Sequence, residues 1–198
     1  TARSRGLGDV YKRQVQAAVA TASEAGENGL SGMAHLVGSI ALRPPHATKL
    51  EDFQSVLQTN LVSAFLALKT AGKAMLKLGQ GRMVFTSSVA GSYGLTNHEA
   101  IAAAKGGIEA MVRSAASTYA GRGLRVNAVA PGLTETRLGA TVLRSDAIRE
   151  ASVGMIPLKR INEPEEIAQS MHWLLTDAPD NLTGQIIHLD GGMSALRG

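Results

Sequence analysis

No cysteine occurs among the 198 residues, which excludes disulfides and thiolate metal sites. That absence is compatible with a reducing compartment, and a cytoplasmic protein is expected. No apolar run approaches the roughly 20 residues that a membrane-spanning helix needs, so no membrane partner is expected. The histidines, at 35, 46, 98, 172 and 188, are scattered without metal-ligand spacing, and no metal site is expected. A large charge excess is also missing. The formal net charge is +4, but residues 1–14 hold Arg3, Arg5, Lys12 and Arg13 against Asp9 alone. The rest of the chain is close to neutral and has no basic stripe for nucleic acid. There is no internal repeat and no low-complexity tract. What remains is a chain long enough for one domain with a real core, 44% hydrophobic and 18% charged, the balance of a globular protein.

Residues 1–14, TARSRGLGDVYKRQ, show neither helical nor strand periodicity. Gly6-x-Gly8 invites a dinucleotide-loop reading, but Tyr11 stands at the third glycine position and no apolar strand precedes Gly6. The stretch resembles a translated sequencing-adapter end. It reads as a non-native or disordered leader, and residues 15–198 as the domain.

Within that domain, apolar runs alternate with helical patterns. Val15 to about Ala25 is Ala-rich and helical, closed by Glu27-Asn28-Gly29. Met33–Val37 reads as a short strand. From Leu50 to Leu78, Phe53, Leu57, Leu61, Ala64, Leu68, Ala71 and Met75 share one helical face. Met83–Phe85 begins another strand. A helix follows to about Ala120, entered through Thr96 and Glu99 at the spacing of a capping box. Arg125–Ala130 is a buried strand ending in Pro131-Gly132, residues 138–160 give mixed signals, Pro164-Glu165-Glu166 opens a helix, and Ile186–Leu189 is the last strand. The alternation predicts an α/β fold with a parallel sheet covered by helices on both faces, its strands at about 33–37, 82–86, 125–129 and 186–189.

The stretch from Val84 to Lys105, VFTSSVAGSYGLTNHEAIAAAK, organises the rest. A strand ends in hydroxyls, a glycine-bearing loop follows, and a helix then carries an inward lysine. Together with QTNLVSAF, RVNAVAPG, PGLTET and TGQIIHLDGG, this stretch resembles the short-chain dehydrogenase/reductase family, in particular its 3-oxoacyl-acyl-carrier-protein reductases. The resemblance covers roughly residues 30–194 and implies a partial Rossmann domain. It implies Ser88, Lys105 and Asn60 as catalytic residues. For an NAD or NADP cofactor it implies Gly38, Asn60, Lys105, Pro131, Gly132 and Thr136. It also implies a small alcohol or ketone as substrate and a homo-oligomer, dimer or tetramer. The family's Gly-x-x-x-Gly-x-Gly loop, which holds the cofactor pyrophosphate, has no counterpart in the sequence. The first strands of the fold are therefore expected to be missing. At the family's Asn-Asn-Ala-Gly motif the chain has His35, Leu36, Val37 and Gly38, and His35 reads as a packing residue.

One departure bears directly on the chemistry. The family places a tyrosine four residues before the lysine, as the proton donor to the substrate oxygen, and this chain has Ile101. A positioned general acid contributes about a hundred- to ten-thousand-fold in rate, so activity is expected to be impaired. His98, on the same helix face as Ile101 and Lys105, is either a substitute acid or a polar residue of the first turn. Tyr93 is the right residue type, but it lies in the loop and is expected to pack at the substrate mouth. The alternative function is a non-catalytic binding or oligomerisation subunit of the same fold.

Overall fold

The four apolar runs form four strands because each is rich in β-branched or long apolar side chains and ends in a turn. The computed structural model describes residues 7–26 and 29–196. Its elements are α1 (Leu7–Ala25), β1 (Gly32–His35), α2 (Leu50–Leu57), α3 (Ser63–Leu78), β2 (Gly81–Thr86), α4 (Glu99–Tyr119), β3 (Leu124–Pro131), α5 (Asp146–Gly154), α6 (Pro164–Leu175) and β4 (Ile186–Leu189). The strands pair in the order β1-β2-β3-β4, all parallel. Met83 sits opposite both Met33 and Val126, which fixes the register across the first three strands.

Strand alternation divides the core into two layers. Met83 and Phe85 of β2, with Leu124, Val126 and Ala128 of β3, pack under Ala64, Leu68, Ala71 and Met75 of α3 and under Ile108 and Val112 of α4. Val84 and Val129 point the other way, onto Met171 and Leu174 of α6. Helices thus cover both faces, as the alternation of elements predicts. Among the described residues no helix is long and apolar enough to cross a membrane.

The structure differs from expectation in four places. Helix α1 begins at Leu7, inside the stretch read as leader; Lys12, Arg13 and Gln14 are good helix formers and continue the turn without a breaker. Residues 1–6, and Glu27 and Asn28 of the expected stop, lie outside the described residues. Strand β1 ends at His35, and Leu36 and Val37 leave the sheet exposed. The capping box at Thr96 does not form. Asn97 takes φ 64°, so the chain turns there and His98 becomes the N-cap. Finally, the helix read as continuous over 50–78 contains a π-helical turn, Gln58–Val62, between α2 and α3. Asn60 Nδ2 donates to Val56 O at 2.9 Å and the Ser63 hydroxyl donates to Thr59 O. These side chains occupy carbonyls of the α ladder, and the Ser63 amide reaches back to Gln58 O instead. Side-chain competition of this kind is a known way to perturb a helix.

Gly123 closes the 3-10 turn Ala120–Arg122 that follows α4, in the left-handed region at φ 80°, and a Cβ there would lie 1.9 Å from Gly79 O. Gly81 N donates to Gly123 O, so this contact also aligns the starts of β2 and β3. We expect Gly123→Ala to cost more than the roughly 1–3 kcal/mol of local backbone strain, because carbonyl and Cβ cannot both stay in place. Chemical denaturation followed by circular dichroism measures it; an unchanged midpoint would show that the two strand starts shift freely.

Candidate functional site

The carboxyl ends of the parallel strands open into a cavity of about 420 Å³. It is bounded by the loops after β1, β2 and β3, by the first turns of α4, and by residues of α5 and α6. This is where open α/β sheets place their ligands.

Ser88 follows β2 in extended conformation, and its hydroxyl oxygen accepts from Ala90 N at 3.2 Å. The hydroxyl keeps its proton to offer to the cavity, which it lines. Lys105 lies on the inward face of α4 and is only 7% exposed. Its Nζ donates to Thr86 O at 2.8 Å. Burial disfavours the charged ammonium and brings its pKa down from 10.5 to about 8. Asn60 sits in the π-helical turn, fully buried. Its Oδ1 accepts from Ser39 N and its Nδ2 donates to Ser39 Oγ, at 3.2 and 3.1 Å. Gly38 lies between these groups: a Cβ there would stand 3.0 Å from Asn60 Oδ1 and 3.6 Å from Lys105 Nζ. The lack of a side chain lets the loop after β1 pass close to both.

Pro131, Gly132 and Thr136 line the opposite wall. The Thr136 hydroxyl accepts from Gly139 N at 2.9 Å and so caps the following turn. Gly132 permits close approach, since a Cβ would lie 2.9 Å from the Cα of Asp190. Burial acts to raise the Asp190 pKa, but hydrogen bonds from Ser194 and from Gly192 N prevail and hold it below the ordinary carboxylate value. All of Ser88, Lys105, Asn60, Gly38, Pro131, Gly132 and Thr136 therefore reach one cavity.

Ile101 is 4% exposed, packs with Val56, Ala90 and Ala104, and presents to the same cavity. His98 also lines it. Its Nδ1 lies 2.7 Å from Thr96 O. A carbonyl only accepts, so Nδ1 carries a proton and Nε2 is the atom left for a ligand. Tyr93, expected at the mouth, is 42% exposed and does not line the cavity among the described residues. No group of three potential metal ligands occurs among the described residues.

Glu109 and Ser87 escaped the sequence reading. Glu109 is 5% exposed and accepts from the Ser87 hydroxyl at 2.8 Å. The available signal was a carboxylate one turn beyond the inward lysine, close to Ile108 and Val112 on the packed face. His35, read as packing, is buried with its ring centroid 5.9 Å from that of Phe85. Its Nε2 is 3.1 Å from Ser63 Oγ, and its Nδ1 has no hydrogen-bond partner. Burial, aided by the nearby Lys105 charge, lowers its pKa from 6.5 to about 4.

Comparison with known proteins gives concordant results. The family model described as enoyl-(acyl carrier protein) reductase matches residues 8–194. The chain is 35% identical to 2-(S)-hydroxypropyl-CoM dehydrogenase 3 of Xanthobacter autotrophicus, over 98% of this chain and 78% of that one. It is 40% identical to a 3-oxoacyl-[acyl-carrier-protein] reductase of Synechocystis over 73% of its own length and 57% of that protein's. It superposes with a TM-score of 0.87, at 30% identity, on a candidate NAD(P)-dependent gluconate 5-dehydrogenase of Beutenbergia cavernae holding NADP at low occupancy. That match covers 96% of this chain and 75% of the other.

His35 carries a direct pH consequence. Its folded pKa lies below its unfolded value, so the unfolded chain takes up the proton first as pH falls. Stability from neutral His35 is complete above about pH 6.5, declines toward about pH 4, and levels off below. The loss is expected to reach roughly 3 kcal/mol. Denaturant titrations between these limits measure it, with His35→Asn as comparison; equal slopes in both proteins would assign the effect to other groups.

Proposed function

The chain belongs to the short-chain dehydrogenase/reductase family, and from that premise we propose that a protein carrying this chain together with a pyrophosphate-binding loop performs NAD(P)-dependent interconversion of a small alcohol and its ketone, slowed by Ile101, the chain by itself being inactive. The observation that carries the reading is the meeting of Ser88, Lys105, Asn60 and Thr136 in one cavity at the carboxyl edge of the sheet. Because the chain spans 78% of one relative and 57% of another, substrate and activity are inferred from the site itself.

The nicotinamide end of the cofactor suits the residues present. Gly38 leaves room beside Lys105 Nζ and Asn60 Oδ1, so Lys105 would hold the ribose hydroxyls and Thr136 the carboxamide against Pro131-Gly132. The pyrophosphate end is different: the sequence contains no Gly-x-x-x-Gly-x-Gly loop, the element that would hold it at a helix N-terminus. When bound, the cofactor supplies or accepts the hydride. Ser88 donates its hydroxyl proton in a hydrogen bond that orients the substrate oxygen. Lys105 stabilises negative charge developing on that oxygen. Asn60 fixes the loop after β1 through Ser39 and so sets one wall of the site. Ile101 can neither give nor take a proton. His98 lines the same wall, with Nε2 the ring nitrogen not engaged by Thr96 O. A second reading, a binding subunit of the same fold without turnover, is favoured by Ile101 alone. Association into a dimer or tetramer and a cytoplasmic location accompany the proposal.

Two outcomes test it. Titrating NADPH against this 198-residue chain and following its fluorescence should give no micromolar binding; such binding would mean that other groups hold the pyrophosphate. In a chimera that adds the family's first strand–loop–helix, Ile101→Tyr should raise carbonyl reduction, within the about hundred- to ten-thousand-fold of a positioned acid. Position 101 is one helical turn before Lys105, whose charge favours the phenolate. Overpacking costs about 1–3 kcal/mol, part of it relieved by the cavity. His98→Ala in the same chimera should abolish activity if His98 is the substitute acid. Full activity indifferent to both changes would place the proton source elsewhere.

A further inference from the structure

Lys105 has an environment that dehydrogenase chemistry does not require. The cavity it lines is walled largely by apolar side chains, among them Leu36, Ile40, Ile101, Leu133 and Met171. Among the described residues its lining includes no Asp, Glu or Arg. The nearest carboxylate on the same helix, Glu109, is turned to Ser87 and lies beside Gly91. At position 101, where a phenolate would favour the ammonium, stands a hydrocarbon. Among the described residues Nζ donates to Thr86 O at 2.8 Å and to no carboxylate. A buried amine with no carboxylate beside it gives up its proton at lower pH than a solvated lysine, and the Lys105 pKa, brought down by burial to about 8, leaves a far larger share of free amine near neutrality than a surface lysine has. Desolvated lysines of this kind are nucleophiles toward carbonyls.

We propose that Lys105 forms a Schiff base with uncharged, apolar aldehydes and ketones that enter this cavity, independently of any nicotinamide nucleotide. The amine nitrogen attacks the carbonyl carbon, forming a C–N bond, and one nitrogen proton passes to the oxygen to give the carbinolamine. Loss of that hydroxyl with the second nitrogen proton releases water and leaves the imine. No oxidant or reductant is consumed. Ser88, whose hydroxyl lines the cavity and has its proton free of the bond from Ala90 N, donates to the carbonyl oxygen during attack. The apolar wall selects the ligand: a carboxylate or sulfonate on the carbonyl compound would be buried without a cation other than the lysine that must react as a neutral amine.

The test uses the full chain, without nicotinamide nucleotide, so that its outcome is separate from that of the oxidoreductase reading. The chain is incubated with benzaldehyde and sodium cyanoborohydride near neutral pH. Hydride from the reagent and a proton from solvent convert each imine to a stable benzylamine, and peptide mass mapping locates it. Lys105 should be labelled at least about tenfold faster than Lys12, Lys49, Lys69, Lys73, Lys77 or Lys159. Excess benzyl alcohol should protect Lys105 alone, and para-carboxybenzaldehyde should lose the preference. Lys105→Arg should leave only the slow surface labelling. Should that variant fail to fold, the benzyl alcohol competition on the unsubstituted chain still decides. Uniform labelling of the lysines, or no protection by benzyl alcohol, would overturn the Schiff base. Equal preference for the carboxylated aldehyde would overturn the ligand class.

Discussion

The site depends on how closely α4 sits against the loop that follows β2. Two glycines make that possible. A Cβ at Gly106 would lie 3.1 Å from Gly91 O, and one at Gly107 would lie 2.9 Å from Leu61. With glycine at both, the helix backbone approaches the loop on one side and the π-helical turn on the other. Glu109 then reaches Ser87, whose hydroxyl also contacts Lys105 O at 3.3 Å. Through these contacts the loop and the helix hold Ser88 and Lys105 to the same cavity. A larger residue at Gly106 would press on the backbone of the loop after β2 without touching either functional side chain, whereas one at Gly107 would press on the Leu61 side chain.

Much of this was legible in the sequence, because parallel strands buried on both faces leave continuous apolar runs. Met83–Phe85 is such a run and Ala128–Ala130 another, and strands fall on both. Ser88, Lys105 and Asn60 were singled out by the family resemblance rather than by spacing, and they line one cavity although one follows a strand and the other two lie on helical segments. Less legible were features decided by side chains against backbone. Thr96 and Glu99 have capping-box spacing, but the left-handed turn at Asn97 moves the cap to His98. The 50–78 helix has unbroken apolar periodicity, yet Asn60 and Ser63 open a π-helical turn within it. A periodic pattern averages over several turns and is insensitive to one extra residue. Glu109 was overlooked for the opposite reason: its buried partner, Ser87, is 22 positions away.

The two departures from the family pattern act in the same electrostatic direction. Ile101 removes a group that would carry negative charge near Lys105. His35 replaces an amide by an imidazole, which the neighbouring lysine charge helps keep neutral. Ile101 lines the cavity and His35 is buried outside its lining, and neither brings a negative charge toward Lys105. Burial brings the Lys105 pKa to about 8, so near that pH both the ammonium that would hold a ribose and the free amine that would meet a carbonyl are populated.

The π-helical turn also constrains how long this part of the chain can be. Deleting one residue within Gln58–Val62 would let the helix close its regular ladder, and as an isolated helix it would gain. The segment before the turn would, however, rotate by about 100° about the axis relative to the segment after it. Phe53 and Val56, which now pack toward Ile101 and Ala104, would swing away from them, and Asn60 would leave Ser39. The surplus residue is thus a setting of angle: two pieces of one helix are held out of phase so that each meets its own neighbour.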